Sequence, residues 1–257
     1  HIRTTLDPFV RHAFFTSTRP LVIAHRGGAA LAPENTLAAF VHGVGLGADG
    51  IELDVRPSRD GRVVVHHDET LDRTTTLRGP VRTRTAAELA AADVPELADV
   101  LHACPDVRVI VEIKENDPAF GRLVVAELRK AGAVARACVG GFRGAVLRAV
   151  RAEEPALATS ASMEEVRMAL YRSWLRWPVT SPSWTGYQIP ERKGATRVVS
   201  PRFVADSHRA GLGVQVWTVN DPGDARRLLE WGVDALITDR PDLMVPLVRE
   251  FAAGGAE

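Results

Sequence analysis

The sequence predicts a single-domain α/β protein built as a (β/α)8 TIM barrel. Short β-branched runs alternate with amphipathic stretches along almost the whole chain, which is typical of repeated βα units. Eight of these runs have the length of strands, and no linker rich in Gly, Ser or Pro separates them. A doubly wound open sheet is the alternative fold. It is disfavoured because the turn from His25 to Gly28 lacks the GxGxxG pattern of a dinucleotide site.

The eight predicted strands are apolar runs that end in polar or turn residues. They cover residues 21–25, 51–55, 107–113, 137–142, 157–160, 186–189, 213–219 and 235–238. Helices are expected at 36–47, 120–131 and 222–231, because Gly47, Gly132 and Gly232 provide the C-caps that a helix needs before a new strand. Residues 170–200, with Trp174, Trp177 and Trp184, are expected to form a long loop and an irregular sixth unit.

One segment departs from the βα alternation. Residues 55–66 contain Asp60-Gly61 between two β-like runs, which predicts a small hairpin appended to the second strand. Its return strand, at 63–65, leads directly into His66, His67 and Asp68. Strand alternation turns His66 away from His67, so His66 is expected to be structural.

Length and composition predict one globular domain over residues 20–250, an N-terminal extension at 1–19 and a C-terminal tail at 251–257. A chain of 257 residues with 46% apolar residues buries roughly three quarters of its unfolded surface. The 32 basic and 32 acidic residues cancel, so no nucleic-acid partner is expected. No apolar run is long enough for a transmembrane segment. A cytoplasmic location is expected, or secretion if a signal peptide preceded His1. Nothing indicates the oligomeric state.

Polar side chains replace aliphatic ones near the ends of several predicted strands, where barrels carry their chemistry. Glu52 and Asp54 are two residues apart, so both point to one face of the second strand, the barrel interior. Glu112 and Lys114 repeat this geometry on the next barrel strand. Three carboxylates and one ammonium are therefore expected to converge.

Buried carboxylates need a cation, and the sequence allows two sources. An all-oxygen set suits one hard divalent cation, Mg²⁺ or Ca²⁺, and zinc is less favoured because it usually recruits His or Cys. The alternative is an interior salt-bridge network in which Lys114 and Arg26 neutralise the acids. Two acidic pairs on successive barrel strands favour the metal site.

His25 and His67 follow β runs at the same face, and imidazoles titrate near neutral pH. Two such groups suit a reaction in which one takes a proton from an attacking oxygen and the other protonates a leaving oxygen. Arg26, Lys114 and the cation would offset charge on a phosphate. Together these residues predict phosphodiester hydrolysis.

The chain resembles the glycerophosphodiester phosphodiesterase family from about Leu21 to Pro241. The resemblance rests on motifs in the family's order: His25-Arg26-Gly27, Pro33-Glu34-Asn35-Thr36, Glu52-x-Asp54, His67-Asp68, Leu71-Asp72-Arg73-Thr74-Thr75, Glu112-Ile113-Lys114, Trp217-Thr218-Val219-Asn220 and Thr238-Asp239-Arg240-Pro241-Asp242. It implies a TIM barrel that cleaves small-molecule glycerophosphodiesters to sn-glycerol 3-phosphate and an alcohol. The alternative it leaves open is a lysophospholipase D.

The resemblance also implies a role for each site residue. Glu52, Asp54 and Glu112 would hold the divalent metal, while His25 and His67 would act as acid and base. Arg26 and Lys114 would contact the phosphate, and Trp217 would form a wall against the glycerol or headgroup. Asn35 is expected to be a structural helix N-cap, with Glu34 in the same loop. The tryptophans Trp174, Trp177 and Trp184 are expected to be packed in the interior, or else to offer an apolar approach for an acyl chain.

Overall fold

The structure, a computed structural model, describes residues 11–177 and 182–254. The strands are β1 (Leu21–His25), β2 (Gly50–Pro57), β3 (Val63–Val65), β4 (Arg108–Ile113), β5 (Ala137–Gly141), β6 (Ala158–Thr159), β7 (Gly186–Pro190), β8 (Arg192–Lys193), β9 (Thr196–Arg197), β10 (Gly213–Trp217) and β11 (Ala235–Thr238). The α-helices are α1 (Leu37–Gly45), α2 (Ala86–Ala90), α3 (Leu97–Ala103), α4 (Pro118–Lys130), α5 (Gly144–Glu153), α6 (Met163–Trp174), α7 (Pro201–Arg209), α8 (Pro222–Glu230) and α9 (Pro241–Gly254). Short 3₁₀ helices lie at Ala13–Phe15, Val81–Thr83 and Val134–Arg136.

Eight of the described strands form a parallel barrel, as the sequence predicts. Their order is β6-β5-β4-β2-β1-β11-β10-β7. A parallel bridge between Ser160 and Gly186 brings the two ends of this order together. The bridge is flanked by a 3.0 Å hydrogen bond from the Ala161 amide to the Gly186 carbonyl. The predicted hairpin is also present, because β3 pairs antiparallel with the end of β2.

Side-chain alternation along the strands separates two apolar layers. Ile51, Leu53 and Val55 of β2 pack outward with residues of α1, α3 and α4 in a single buried cluster. Ile110 on β4 belongs to a second cluster inside the barrel. The predicted facing of β2 is therefore correct, and Glu52 and Asp54 project into the interior.

The segment before β1 fills the end of the barrel opposite the site. Phe14 and Phe15 are buried in the interior cluster with Leu21 and Ile23. A Cβ at Gly186 or Gly213 would collide with the Phe15 ring, so these glycines are required by close packing. The first turn of the described chain thus supplies a hydrophobic plug.

The region predicted as a loop at 170–200 contains more regular structure than expected. Helix α6 continues to Trp174, started by a capping box between Ser162 and Glu165. After it come β7 and a short β8-β9 hairpin. The expectation of interior tryptophans is correct for Trp184 but wrong for Trp174 and Trp177, which are exposed. Residues 178–181 of this region lie outside the described residues.

No helix among the described residues is long and apolar enough to cross a membrane.

Candidate active site

Strand register brings three carboxylates together inside the barrel mouth. Asp54 on β2 is the direct partner of Glu112 on β4, and Glu52 on β2 is the direct partner of His25 on β1. One oxygen from each of Glu52, Asp54 and Glu112 lies within 4.8 Å of the others. The predicted acidic cluster therefore exists, and its members can reach one cation.

The two neighbouring cations neutralise these acids unequally. Lys114 Nζ lies 2.8 Å from Asp54 Oδ1 and 2.8 Å from Glu112 Oε1. Arg26 Nε lies 3.2 Å from Asp54 Oδ2. Among the described residues, Glu52 has no Lys or Arg partner and accepts only the Arg26 backbone N–H at 3.1 Å, with His25 Nε2 at 3.8 Å. The salt-bridge alternative thus accounts for Asp54 and Glu112 and leaves Glu52 without a Lys or Arg partner.

The pKa values of the cluster reflect this imbalance. Burial, together with the negative charge of Asp54, raises the pKa of Glu52 to about 8. Burial acts in the same direction on Asp54, but Lys114 and Arg26 outweigh it and lower its pKa. Burial opposes the charge of Lys114, and the carboxylates of Glu112 and Asp54 nevertheless raise its pKa. An additional positive charge beside Glu52 would remove the desolvation penalty of that carboxylate.

The side chain of His25, at the end of β1, is held by a carboxylate that follows β11. Its Nδ1 lies 2.6 Å from Asp239 Oδ1, so Nδ1–H donates to the carboxylate. Asn220 Nδ2 donates to the other Asp239 oxygen at 2.8 Å, and Asn220 Oδ1 accepts from the Asp239 amide. Burial lowers the basicity of His25, but Asp239 and Glu52 outweigh burial, and the net result is a raised pKa.

The side chain of His67, which follows β3, is also held by a carboxylate at Nδ1. Its Nδ1 lies 2.7 Å from Asp68 Oδ1, and Asp68 Oδ2 accepts from Arg73 Nε at 2.7 Å. Arg73 in turn binds both oxygens of Glu34, and Glu34 accepts from Arg26 Nη1 at 3.0 Å. A continuous chain of ion pairs therefore links the loop of His67 to Arg26 beside the acidic cluster.

His66 lies outside this arrangement. Its Nε2 is 3.0 Å from the Thr70 carbonyl, and burial lowers its pKa. The predicted structural role of His66 agrees with this position.

The structure contradicts the prediction that Asn35 is the helix N-cap. The helix N-cap is Thr36, whose hydroxyl accepts from the Ala39 amide. Asn35 precedes the helix in a left-handed conformation with φ 60°, and its side-chain amide donates to Asp54 Oδ2 at 2.9 Å. Asn35 therefore orients a carboxylate of the site, because the turn aims its side chain inward.

A largely apolar groove of about 640 Å³ opens beside the acidic cluster. Glu112 of the acidic cluster and Trp217, the predicted wall residue, are both among its lining residues. The groove is lined mainly by Phe142, Met163, Leu170, Tyr171, Trp174 and Ile189, with Ser160 and Gln188 among its polar lining residues. Lys114 Nζ lies 5.4 Å from the centre of the Phe142 ring.

Several residues of this site were missed as functional residues in the sequence. Asp239, Asn220 and Arg73 occur in motifs but carry no predicted role, and the groove-lining side chains of α6 lie in a region predicted as loop. A His followed by Asp, and an Asp at a barrel strand end, were the available signals. For the groove the signal was Trp174, one of the tryptophans for which an apolar approach to an acyl chain was the alternative expectation. The other lining side chains gave no signal, because the groove forms between elements distant in sequence.

Comparison with known proteins shows that the chain is similar to one family of enzymes over most of its length. The glycerophosphoryl diester phosphodiesterase family matches residues 25–243. A glycerophosphodiester phosphodiesterase of Caldanaerobacter subterraneus is 31% identical over 250 residues, covering 90% of this chain and 99% of the relative. A probable glycerophosphodiester phosphodiesterase 2 of Mycobacterium tuberculosis is 33% identical, covering 87% of this chain and 89% of the relative.

Solved structures of similar proteins have the same fold. A glycerophosphodiester phosphodiesterase from Agrobacterium tumefaciens aligns with a TM-score of 0.72 at 29% identity, covering 88% of this chain and 99% of the other. An Oleispira antarctica phosphodiesterase in complex with the product sn-glycerol-3-phosphate aligns with a TM-score of 0.73 at 25% identity, covering 93% and 100%.

Proposed function

Because this chain belongs to the glycerophosphoryl diester phosphodiesterase family, and is therefore a hydrolase of glycerophosphodiesters, we propose that its products are sn-glycerol 3-phosphate and an alcohol. We propose further that one divalent cation, Mg²⁺ or Ca²⁺, and two histidines carry out the reaction. The observation that carries this proposal is the buried carboxylate of Glu52, which has no Lys or Arg partner in the described chain and lies 3.8 Å from the His25 imidazole.

The donor set fits a hard divalent ion. Glu52, Asp54 and Glu112 provide oxygen ligands only. When all three are ionised, they carry one more charge than the cations of Lys114 and Arg26, and a bound divalent ion would favour that ionised state of Glu52. When bound, the ion would supply positive charge to the phosphate and to the attacking oxygen. Lys114 already bridges two of the three acids and would keep them oriented.

The two histidines are suited to move protons because a carboxylate binds Nδ1 of each ring, which leaves Nε2 for proton transfer. Nδ1–H of His25 donates to Asp239, and Nδ1–H of His67 donates to Asp68, so the neutral rings carry their lone pair on Nε2. One ring, neutral at the start, accepts on Nε2 the proton of the attacking oxygen as the new P–O bond forms. The other ring must start protonated on Nε2, and it donates that proton to the leaving alcohol oxygen as the old P–O bond breaks.

Arg26, Lys114 and Trp217 are proposed to bind the substrate. Arg26 Nε is buried and makes no hydrogen bond in the described chain, although Asp54 lies close to it. A phosphate bound at the acidic cluster would lie close to the positive charge of this guanidinium. Trp217 lines the groove, as Glu112 does, and would contact the glycerol or the headgroup.

Hydrolysis of glycerophosphocholine, followed as released sn-glycerol 3-phosphate, tests the proposal. We expect activity that is abolished by exhaustive chelation and restored by Mg²⁺ or Ca²⁺. The chelated protein is transferred to buffer without chelator, and circular dichroism verifies that it is still folded, so that loss of activity is not loss of the fold. Full activity after exhaustive chelation would remove the metal from the proposal, and no release of sn-glycerol 3-phosphate with either ion would refute the proposed products for this substrate.

A second candidate, hydrolysis of lysophospholipids at the same bond, is favoured by the groove. Its lining is mainly apolar, and besides Glu112 and Trp217 it includes residues of α6 and β7. A wall of Met163, Leu170 and Trp174 suits one acyl chain better than it suits a free polar alcohol. The substrate would enter with its phosphate at the acidic cluster and its chain in the groove.

The two candidates separate by the ratio of kcat/KM for lysophosphatidylcholine to that for glycerophosphocholine, measured below the micelle concentration. A ratio above one supports the acylated substrate, because chain burial adds binding energy. A ratio far below one leaves the unacylated diester as the substrate.

A further inference from the structure

The outer end of α6 displays the most exposed large apolar side chains of the described chain. Tyr171 and Trp174 are each 55% exposed, Leu175 is 64% exposed and Trp177 is 66% exposed. Arg167 and Arg176 are exposed among them. We call these six residues the α6 rim. Apolar side chains clustered on a surface in this way mark an interaction site more often than single exposed ones do.

The α6 rim is held in place by the helix end. Arg176 adopts a left-handed conformation with φ 61°. The Trp177 amide donates to the Arg172 carbonyl at 2.9 Å and the Arg176 amide donates to the Ser173 carbonyl at 3.3 Å, which together form a Schellman motif. The backbone of Trp177 is therefore fixed against the last turn of the helix, and the Tyr171 and Trp174 rings pack edge to face with their centres 5.5 Å apart. The aromatic groups are thus presented as an ordered surface.

The surroundings of the α6 rim carry more basic than acidic side chains, although the chain as a whole is neutral. Of the nearest acids, Glu165 pairs with Arg151, Asp206 pairs with Arg202 and Arg209, and Glu164 lies in the first turn of α6, at the opposite end from Trp174. Residues 166–177 contain three arginines and no acid, and residues 192–197, on the β8-β9 hairpin, contain three basic residues and no acid. Arg167 and Arg192 both line the groove, so the two segments face each other across its mouth. The local charge therefore selects an anionic partner.

We propose that the α6 rim docks on the surface of an anionic phospholipid bilayer. Trp and Tyr side chains prefer the boundary between hydrocarbon and water, Leu175 prefers the hydrocarbon, and arginines are attracted by anionic headgroups. A second copy of this chain is a poorer partner, because a two-fold interface would bring the same basic segments together. Docking by this face also places the groove mouth against the bilayer, since Tyr171 and Trp174 belong to both.

Sedimentation of the full chain with vesicles tests the docking, and it uses no substrate, so its outcome is independent of the proposed function. We expect binding to phosphatidylcholine vesicles that contain phosphatidylglycerol, weak binding to pure phosphatidylcholine, and release as salt increases. The variant Leu175→Ala/Trp177→Ala removes two rim side chains outside the groove and should lower the partition coefficient about tenfold. The variant Arg167→Gln/Arg176→Gln should lower it about tenfold with anionic vesicles only.

Matched controls keep the test specific. Val41→Ala removes an exposed apolar side chain from α1, and Arg78→Gln removes an exposed arginine from a distant loop, and both should bind vesicles as the unmodified chain does. Thermal unfolding verifies that every variant folds. The proposal is overturned by equal binding of the Leu175→Ala/Trp177→Ala variant and the unmodified chain. It is also overturned by absence of binding at low salt, by concentration-dependent self-association that this variant abolishes, or by equal capture on a soluble polyanion such as heparin.

Discussion

Asp239 Oδ1 lies 2.6 Å from His25 Nδ1, although the two residues are 214 positions apart in the chain. They meet because β1 and β11 are neighbours in the barrel, with Ala24 opposite Thr238. Asp239 is itself fixed by Asn220, which follows β10. The imidazole of one strand end is thus oriented by residues from the next two strands around the barrel.

Asp239→Asn is expected to lower kcat for glycerophosphocholine about a hundredfold with little change in KM. An amide at this position donates as well as accepts, so it no longer selects the tautomer with the lone pair on Nε2. Steady-state kinetics measures the split between kcat and KM. Asp242→Asn, which removes a carboxylate paired with Arg240, is the control and should leave both constants unchanged. A change confined to KM would contradict the positioning role of Asp239.

His25→Ala and His67→Ala are each expected to lower kcat about 10²- to 10⁴-fold, because each removes a proton-transfer group. His42→Ala, on the exposed face of α1, is the matched control and should retain full activity. Rates are followed by release of sn-glycerol 3-phosphate. Unchanged rates in both site variants would refute the assignment of the acid and base pair.

Glu52→Gln is expected to abolish stabilisation by divalent cations. A cation that binds only the folded chain adds about 2.7 kcal/mol of stability at a hundred times its Kd, seen as a rise in Tm. In the variant the site has lost its one carboxylate without a Lys or Arg partner, so the shift should be small. Differential scanning calorimetry with increasing Mg²⁺ or Ca²⁺ measures it. Glu153→Gln, paired with Arg129 on the surface, is the control. Equal shifts in all three proteins would show that the cation binds elsewhere.

Glu165→Gln is expected to weaken the fold in a pH-dependent way. Burial opposes the charge of Glu165, but Arg151 and the Ser162 backbone amide outweigh burial and lower its pKa. Because the folded-state pKa lies below the unfolded value, the stabilisation is complete above about pH 4.3 and is lost as the pH falls through the folded-state pKa.

We expect the variant to lose about 1–2 kcal/mol of unfolding free energy at neutral pH, and the difference from the unmodified chain to shrink on acidification. Urea denaturation at a series of pH values measures both. Glu230→Gln, an exposed position on α8, provides the comparison. A difference that does not vary with pH would mean that Glu165 acts by packing alone.

Met163→Glu is expected to lower kcat/KM for lysophosphatidylcholine about tenfold or more and to leave kcat/KM for glycerophosphocholine nearly unchanged. The new carboxylate would lie in the apolar groove, where it opposes burial of an acyl chain. Met168→Glu is the matched control, because Met168 is equally exposed on α6 but does not line the groove. Equal losses on both substrates would place Met163 in contact with the shared part of the substrate.

Local sequence patterns were sufficient to predict much of the fold and part of the candidate site. Alternation along β2 and β4 places Glu52, Asp54 and Glu112 on the interior face, since a strand has a period of two and the Ile, Leu and Val between them must meet the helices. The hairpin at Asp60-Gly61 and the separation of His66 from His67 follow from the same short-range rules. These inferences required no knowledge of which strands are neighbours.

Other features depended on contacts that are distant in sequence. Asn35 satisfies the local pattern of an N-cap, yet a left-handed turn directs it to Asp54, and Thr36 caps the helix instead. Trp174 and Trp177 resemble core residues in the sequence because they are large and apolar, but α6 packs through Ala169 and Ser173 and turns them outward.

The sequence by itself determined the (β/α)8 barrel, the family and the identity of the acidic and imidazole side chains, because periodicity and motifs are properties of nearby residues. Only the tertiary structure decided which acid lacks a Lys or Arg partner, which carboxylate holds each histidine, and where the apolar groove and the α6 rim lie. Those properties arise from strand register and from helices packed side by side, and both depend on residues that the chain brings together only after it folds.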